Sequence, residues 1–308
     1  MKRRTIKKSV VRKGISIHNG HICSITCKPS YYNKGIIFYN IAKDPYKLYP
    51  IPISPFVVTG TQNSTAIGGR FTVNTVEHLL SALSMLYISD LIVEVDGDEI
   101  PILDGSAYSF VDMIREAGIE ELDEEQEFLE ISYPSWIISN DKYIIAMPSS
   151  TFSVTYSIDF SSKTQLLPYQ VIYLTLDTEI YIREISRART FGFLEDIELL
   201  KKNNLALGGS LDNALIYTKD GILNKETRYQ NEAIRHKILD LIGDLYLLGK
   251  PIKGHIIAHK AGHNLDVRFA KKLYWEQRNK ENSENIKKII EDFETISQKL
   301  KISVKPNT

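Results

Sequence analysis

Apolar positions along the chain follow two different periods, and each change of period marks a change of element. In the first hundred residues, short apolar runs at 15–17, 22–27, 35–39 and 91–95 read as strands, separated by turn pairs such as Asn19-Gly20 and Asp96-Gly97. Two stretches keep the helical period instead. One opens near Thr75 and carries Val76, Leu79, Leu80, Leu83 and Leu86; the other runs over about 106–117 and stops before Gly118. Strands are predicted through 128–160 and 170–183, followed by helices near 195–203, 230–248 and 264–280. Strands and helices do not alternate regularly, and the Gly-rich fingerprints of nucleotide-binding βαβ units are missing. The pattern therefore predicts a two-domain α+β protein rather than a doubly wound sheet.

The boundary is expected in the acidic run Glu120-Glu121-Leu122-Asp123-Glu124-Glu125-Gln126-Glu127, read as a linker, with a solvated helix end as the other reading. This divides the chain into domains at 1–122 and 127–280. Residues 281–308 are expected as a peripheral helix and loose tail, with an apolar stripe at Ile286, Ile289, Ile290 and Phe293.

Composition then narrows the function classes. Of 308 residues, 43% are hydrophobic and 25% charged, and Lys plus Arg and Asp plus Glu each total 38. That is a globular composition with no global field to attract nucleic acid, so an anionic ligand would need local charges. No apolar run reaches the roughly 18 residues of a membrane span. The basic start Met1-Lys-Arg-Arg-Thr is not followed by the apolar segment of a secretory signal, so a cytoplasmic protein is expected, and a monomer. Cys23 and Cys27, the only cysteines, would lie about 13 Å apart on one strand face at a rise of roughly 3.3 Å per residue. They are too distant for a bridge, and buried free thiols are expected.

The densest chemistry lies at 234–248. On a helix, Ile234, Ile238, Leu241, Ile242, Leu245 and Leu248 share one apolar face. His236 and Asp240 stand opposite at i and i+4, with Asp244 a turn further, and Gly243 leaves that side bare where something must approach closely. The spacing suits either one metal ion or an ordinary solvated His–Asp pair. In Asn74-Thr75-Val76-Glu77-His78, Thr75 or Asn74 would cap a helix and put Glu77 and His78 in its first turn. Adjacent residues point about 100° apart, so His78 can bind metal while Glu77 reaches water beside it. Two His, one Asp and an open position form a catalytic zinc pattern. Glu77 as an ordinary first-turn charge is the alternative. His263, in Lys260-Ala-Gly-His, reads as a general acid held by Asp244 or as an exposed loop histidine. The Thr190 hydroxyl, in Ser186-Arg-Ala-Arg-Thr-Phe, reads as an oxyanion donor or as part of a polar turn.

Six segments occur in a fixed order over roughly residues 3 to 278: Thr75-Val-Glu-His-Leu, Pro101-Ile-Leu-Asp-Gly-Ser, Arg187-Ala-Arg-Thr-Phe-Gly-Phe, Leu207-Gly-Gly-Ser-Leu-Asp-Asn-Ala, Arg235-His-Lys-Ile-Leu-Asp-Leu-Ile-Gly-Asp-Leu and Lys260-Ala-Gly-His. Together they resemble the UDP-3-O-acyl-N-acetylglucosamine deacetylase family, which acts early in lipid A synthesis. The resemblance implies two domains of similar topology, each a layered sheet/helix sandwich, with the active site in the cleft between them. It implies one Zn²⁺ on His78, His236 and Asp240, with Glu77 as general base toward the attacking water. Zinc and Thr190 would stabilise the oxyanion, and His263, positioned by Asp244, would protonate the leaving amine. Lys237 and Lys260 match positions near the nucleotide diphosphate, Phe160 an aromatic that packs on uracil, and Phe191 one that contacts the sugar. An apolar passage for the acyl chain is implied at Phe193, Ile197 and Ala206, with Ile17 from the first domain. The implied partner is an acylated UDP-amino sugar.

The chain departs from the family pattern in three places. Ser161-Ser162 replaces a frequent His-Pro pair, the 60–70 stretch is shortened with Ser64 where some members place a Cys, and 224–228 is one residue short. The Ser64 exchange implies weaker inhibition by excess zinc. Two rival readings stand beside the family one: a zinc amidohydrolase for another acylated amine, and a catalytically silent zinc or nucleotide-binding protein. The apolar passage distinguishes the first, and the presence of both Glu77 and His263 the second.

Overall fold

Strict alternation decides which way the first sheet faces. In Ile22–Pro29, Cys23, Ile25 and Cys27 are buried while Ser24, Thr26 and Lys28 point to the other side. Both thiols are free and buried on one face, as their spacing predicts.

The computed structural model describes residues 1–31 and 33–299, with side chains through residue 287. Its first part contains β1 (Lys2–Ile6), β2 (Val10–Ile15), β3 (Ile22–Pro29), β4 (Ile36–Asn40), β5 (Ile51–Pro52), β6 (Val58–Gly60), β7 (Ala66–Gly68), β8 (Thr72–Val73), α1 (Glu77–Met85), β9 (Leu91–Asp96), α2 (Tyr108–Ala117) and β10 (Ile119–Glu125). The second part opens with β11 (Leu129–Glu130), β12 (Ser135–Ser139), β13 (Lys142–Met147), β14 (Phe152–Ile158) and β15 (Gln170–Thr175). It continues through α3 (Thr178–Glu184), β16 (Phe191–Phe193), α4 (Leu194–Lys202), β17 (Leu215–Tyr217), α5 (Glu232–Leu245), β18 (Ile252–His259) and α6 (His263–Lys299).

One sheet has the order β2-β3-β9-β4-β5, with β9 antiparallel to β3 and parallel to β4. A second, larger sheet has the order β12-β13-β18-β14-β15, with β11 also beside β18, and the remaining strands form small sheets of two or three. Helix α2 packs on α1 and β2, α5 packs on β14 and β15, and α1 lies on α5. Two sheet-and-helix halves thus join helix to helix, in the α+β architecture that the pattern predicts. Residues Met1–Ala270 form one compact unit, and a second begins at Lys271 and is helical as far as Lys299. No helix among the described residues is long and apolar enough to cross a membrane. The side chains of Ile289, Ile290 and Phe293 and the expected tail at 300–308 lie outside the described residues.

The apolar face of α5 is buried through Ile234, Ile238, Leu241, Ile242 and Leu245, each contributing roughly 1.5–3 kcal/mol. Its polar face is buried too, because α1 covers it. A Cβ at Gly243 would lie 2.0 Å from the backbone oxygen of Glu77. The two helices therefore meet backbone to backbone, and the bare position read from the sequence is where they touch.

Four local expectations differ from the structure. The strand expected at 15–17 ends at Ile15, and residues 17–19 turn. The strand expected to run to 183 stops at Thr175, because the Asp177 carboxylate accepts the Ile180 N–H at 2.7 Å and starts α3. The acidic run at 119–125 is a strand, not a free linker. It pairs antiparallel with β1, where Arg4 meets Glu121 at 2.9 Å and Lys2 meets Glu125 at 3.0 Å. Neither Thr75 nor Asn74 caps α1: the Thr75 hydroxyl donates to Glu99 Oε1 at 2.9 Å, and Asn74 Nδ2 donates to the Asp98 carbonyl.

Candidate metal and proton-transfer site

The start of α1 is held by its surroundings rather than by a cap. Thr75 has φ +59°, a left-handed conformation costly for a β-branched residue. Its hydroxyl bond to the buried Glu99 and the Val76 N–H bond to the Thr65 carbonyl fix that turn. Glu77 and His78 follow at once, and both are buried. Across the seam at Gly243, α5 presents His236, Asp240 and Asp244, also buried. The reading of His236 and Asp240 as a solvated surface pair is thereby excluded.

Three donor atoms converge between the helices. Asp240 Oδ1 lies 3.3 Å from His236 Nε2 and 3.7 Å from His78 Nε2, with the two rings 4.9 Å apart and nearly perpendicular. The His236 Nδ1–H donates to the Ala188 carbonyl at 3.1 Å, which leaves the Nε2 lone pair facing inward. Burial, reinforced by His236, pushes the His78 imidazole down to about 3, so it too is neutral. Asp240 is driven well below the usual carboxylate range: burial opposes its charge, but His236 and Lys237 outweigh burial. Its Oδ2 accepts from Lys237 Nζ at 2.7 Å, whereas Oδ1 is buried with no protein donor. An orphaned anionic oxygen between two imidazole lone pairs is a donor set that fits a divalent cation of the zinc type.

Beside this group sits a second one. His263 Nδ1 donates to Asp244 Oδ2 at 2.8 Å, and Asp244 Oδ1 accepts the Thr65 hydroxyl at 2.5 Å. Burial disfavours the His263 charge, yet Asp244, Asp240 and Glu77 outweigh it and push the imidazole up to about 10. Glu77 has a raised proton affinity, chiefly from burial, and its Oε2 accepts the Thr65 N–H at 2.9 Å. Thr65 thus holds the expected base and the carboxylate behind the expected acid at once.

These residues open on a cavity of about 830 Å³. Near the metal group, Phe191 stands edge-on to His236 with centroids 6.2 Å apart, and Phe160 is 5.7 Å from Phe191. Thr190 lines the same wall. Its N–H donates to the Gly105 carbonyl at 2.8 Å, and the adjacent Arg189 binds Glu232 in the first turn of α5 at 2.8 Å. Part of the cavity lining is polar, with Asn140, Lys142 and Lys260, the last paired to Asp141 at 3.2 Å. Part of it is apolar, with Ile197, Leu200, Ala206, Leu211 and Ile216, and Ile17 from the first part of the chain.

Of the residues singled out from the sequence, Glu77, His78, His236, Asp240, His263, Thr190, Lys237, Lys260, Phe160, Phe191, Ile17, Ile197 and Ala206 all line this cavity. Asp244 stands behind His263. Phe193 does not line the cavity, because its ring packs on Phe160 and Tyr217 at 5.4 and 6.2 Å. Lys237 lines the cavity with its ammonium on Asp240. Three residues passed over in the sequence belong here: Thr65, Asp266 and His18. His18 lines the cavity, and burial lowers its imidazole below the usual value. Its one sequence signal was the turn at Asn19-Gly20 directly after the Ile17-His18 pair.

A sequence model of the family described as UDP-3-O-acyl N-acetylglycosamine deacetylase matches residues 3–275. A protein of Leptospira biflexa named UDP-3-O-acyl-N-acetylglucosamine deacetylase is 48% identical over 271 residues, covering 87% of this chain and 88% of the relative. Proteins of the same name from Pseudoalteromonas atlantica and Idiomarina loihiensis are each 40% identical, over 294 and 280 residues. These alignments cover 93% and 90% of this chain and 96% and 91% of the respective relatives.

Proposed function

The chain belongs to the UDP-3-O-acyl N-acetylglycosamine deacetylase family, and from that premise we propose how its own residues carry the reaction. The enzyme is a deacetylase of lipid A biosynthesis. It hydrolyses the acetamide of UDP-3-O-acyl-N-acetylglucosamine and releases acetate and the free amine. His78, His236 and Asp240 would hold one Zn²⁺, and the observation that carries this is the buried, donorless Asp240 Oδ1 facing two imidazole lone pairs. Bound there, zinc supplies Lewis acidity toward water and the acetamide carbonyl.

Glu77, one residue before a ligand and raised in proton affinity, takes the proton of the attacking water. The Thr190 hydroxyl donates to the carbonyl oxygen as it becomes an oxyanion. His263 enters the reaction protonated, because Asp244 and its neighbours hold the charge in place. It delivers that proton to the departing nitrogen, so the product leaves as an amine rather than as an amide anion. Phe191 bears on the sugar, and Phe160 and Lys260 on the nucleotide end. Lys237 neutralises Asp240 and faces the cavity beside it. The acyl chain takes the apolar part at Ile17, Ile197 and Ala206, with Phe193 supporting Phe160 from outside the cavity wall. We place the division between the halves at 122–127, and the enzyme as a cytoplasmic monomer.

The test is deacetylation of UDP-3-O-acyl-N-acetylglucosamine by the purified protein, with a chelator and after zinc readdition. Activity lost on chelation and restored by zinc is the expected outcome. No turnover by folded, zinc-loaded protein across several acyl lengths would overturn it.

A further inference from the structure

Asp266 has no role in the scheme above, yet it is among the most completely buried charged residues of the molecule. It is fully buried in the first turn of α6, and neither carboxylate oxygen has a hydrogen-bond partner. An acid in a first turn ordinarily gains from the helix dipole while keeping its oxygens in water or on backbone N–H groups. Asp266 has neither, so its place needs another reason.

The neighbours supply one. A ligand-type atom from each of Asp244, His263 and Asp266 lies within 4.8 Å of the other two. Around them stand His236, Lys237 and Asp240 from α5, Glu77 and His78 from α1, His18 from the turn after β2, and the Tyr156 hydroxyl from β14, which itself donates to the Ala261 carbonyl. Buried here are the carboxyl groups of Glu77, Asp240, Asp244 and Asp266, and among the described residues the side-chain cations set against them are Lys237 and imidazolium His263. A dication on His78, His236 and Asp240 would close that balance with His263 charged and Asp266 ionised, and equally with both neutral, so the two groups gain or lose their charges together.

We propose that Asp266 is a positioning residue for the proton donor: its carboxylate acts through space, with Asp244, to keep His263 an imidazolium while the substrate is bound. Asp244 fixes the ring through a hydrogen bond, whereas Asp266 contributes charge without one. Burial above all, with Asp244, pushes the Asp266 carboxyl up to about 7 against the pull of Lys237 and His263, so its ionisation is tied to theirs. The proposal rests on His263 as the proton donor of the reaction.

The experiment is a titration of the His263 ring by ¹⁵N NMR in zinc-loaded, histidine-labelled protein, for the wild type and the isosteric Asp266→Asn variant. The His263 midpoint is expected to fall by about one unit in Asp266→Asn, as for loss of a charge at this range. The alkaline limb of the deacetylation rate should fall with it, while the melting temperature changes little. An unchanged midpoint overturns the proposal, whatever happens to the rate. A midpoint that moves while the rate limb does not would keep the link between Asp266 and His263 but count against His263 as the donor. Should Asp266→Asn fail to fold, the carboxyl ¹³C signal of Asp266 in the wild type decides. A step coupled to His263 supports the proposal, and independent titration of the two groups sinks it.

Discussion

Two triads built from the same two residue types stand at the cavity, one of them reaching it only through His263, and the ratio between them is inverted. His78, His236 and Asp240 supply two imidazoles to one carboxylate, whereas His263 is accompanied by Asp244 and Asp266. Both groups are almost entirely buried, and burial alone pushes every imidazole toward neutrality. In the first triad nothing outweighs that push, and two lone pairs remain for a cation. In the second the carboxylates prevail, and the same ring becomes a proton store. Histidine chemistry here is set by how many carboxylates share its pocket, and Glu77 feels the charges of both groups.

The comparison breaks most completely at the first triad. Asp240→Ala is expected to abolish metal binding and turnover together, read by metal analysis and the deacetylation assay; retention of a full equivalent of zinc would count against Asp240 as a ligand. Glu77→Gln separates the two functions. It should keep zinc and fold normally yet lose about 10²–10⁴ in kcat, the usual range for a general base. His263→Gln should cost about 10² with metal content unchanged. It should also remove the alkaline limb of the rate, since a raised proton affinity keeps the wild-type ring charged until the pH climbs toward about 10. A wild-type limb surviving in that variant would assign it to another group. Thr65→Val is the mildest case: it deletes the hydroxyl bond to Asp244 but keeps the N–H bond to Glu77. A loss of about 10-fold, at the lower end for a supporting hydrogen bond, with the limb shifted and zinc retained, would sharpen the division between the triads.

Much of this was readable before any coordinates. Helix α5 declared itself because apolar and ionisable residues fell on separate faces at helical spacing, and Gly243 marked the contact. What escaped depended on partners far along the chain. The acidic run at 119–125 has the composition of a linker, and only the basic residues of β1, more than a hundred positions earlier, turn it into a strand. Asp177 carried a local capping signal that the apolar run before it obscured. Asp266 gave no local sign at all, and His18 only the turn that follows it, since their interest lies in burial beside groups that the sequence places far away. Thr75 misled for a related reason: the residue type favours a cap, but Glu99 competes for the hydroxyl.

The seam at Gly243 also makes the proposed metal cage an instrument of measurement. His78 rides on one helix and His236 and Asp240 on the other, so their separation is set by how closely two backbones approach. A single methyl group at position 243 would act as a wedge, pushing the Glu77 carbonyl and its helix outward and widening the cage from behind. Selectivity among cations of different radius would then change without any alteration of a proposed ligand, and position 243 would be the gauge by which the site sizes its ion.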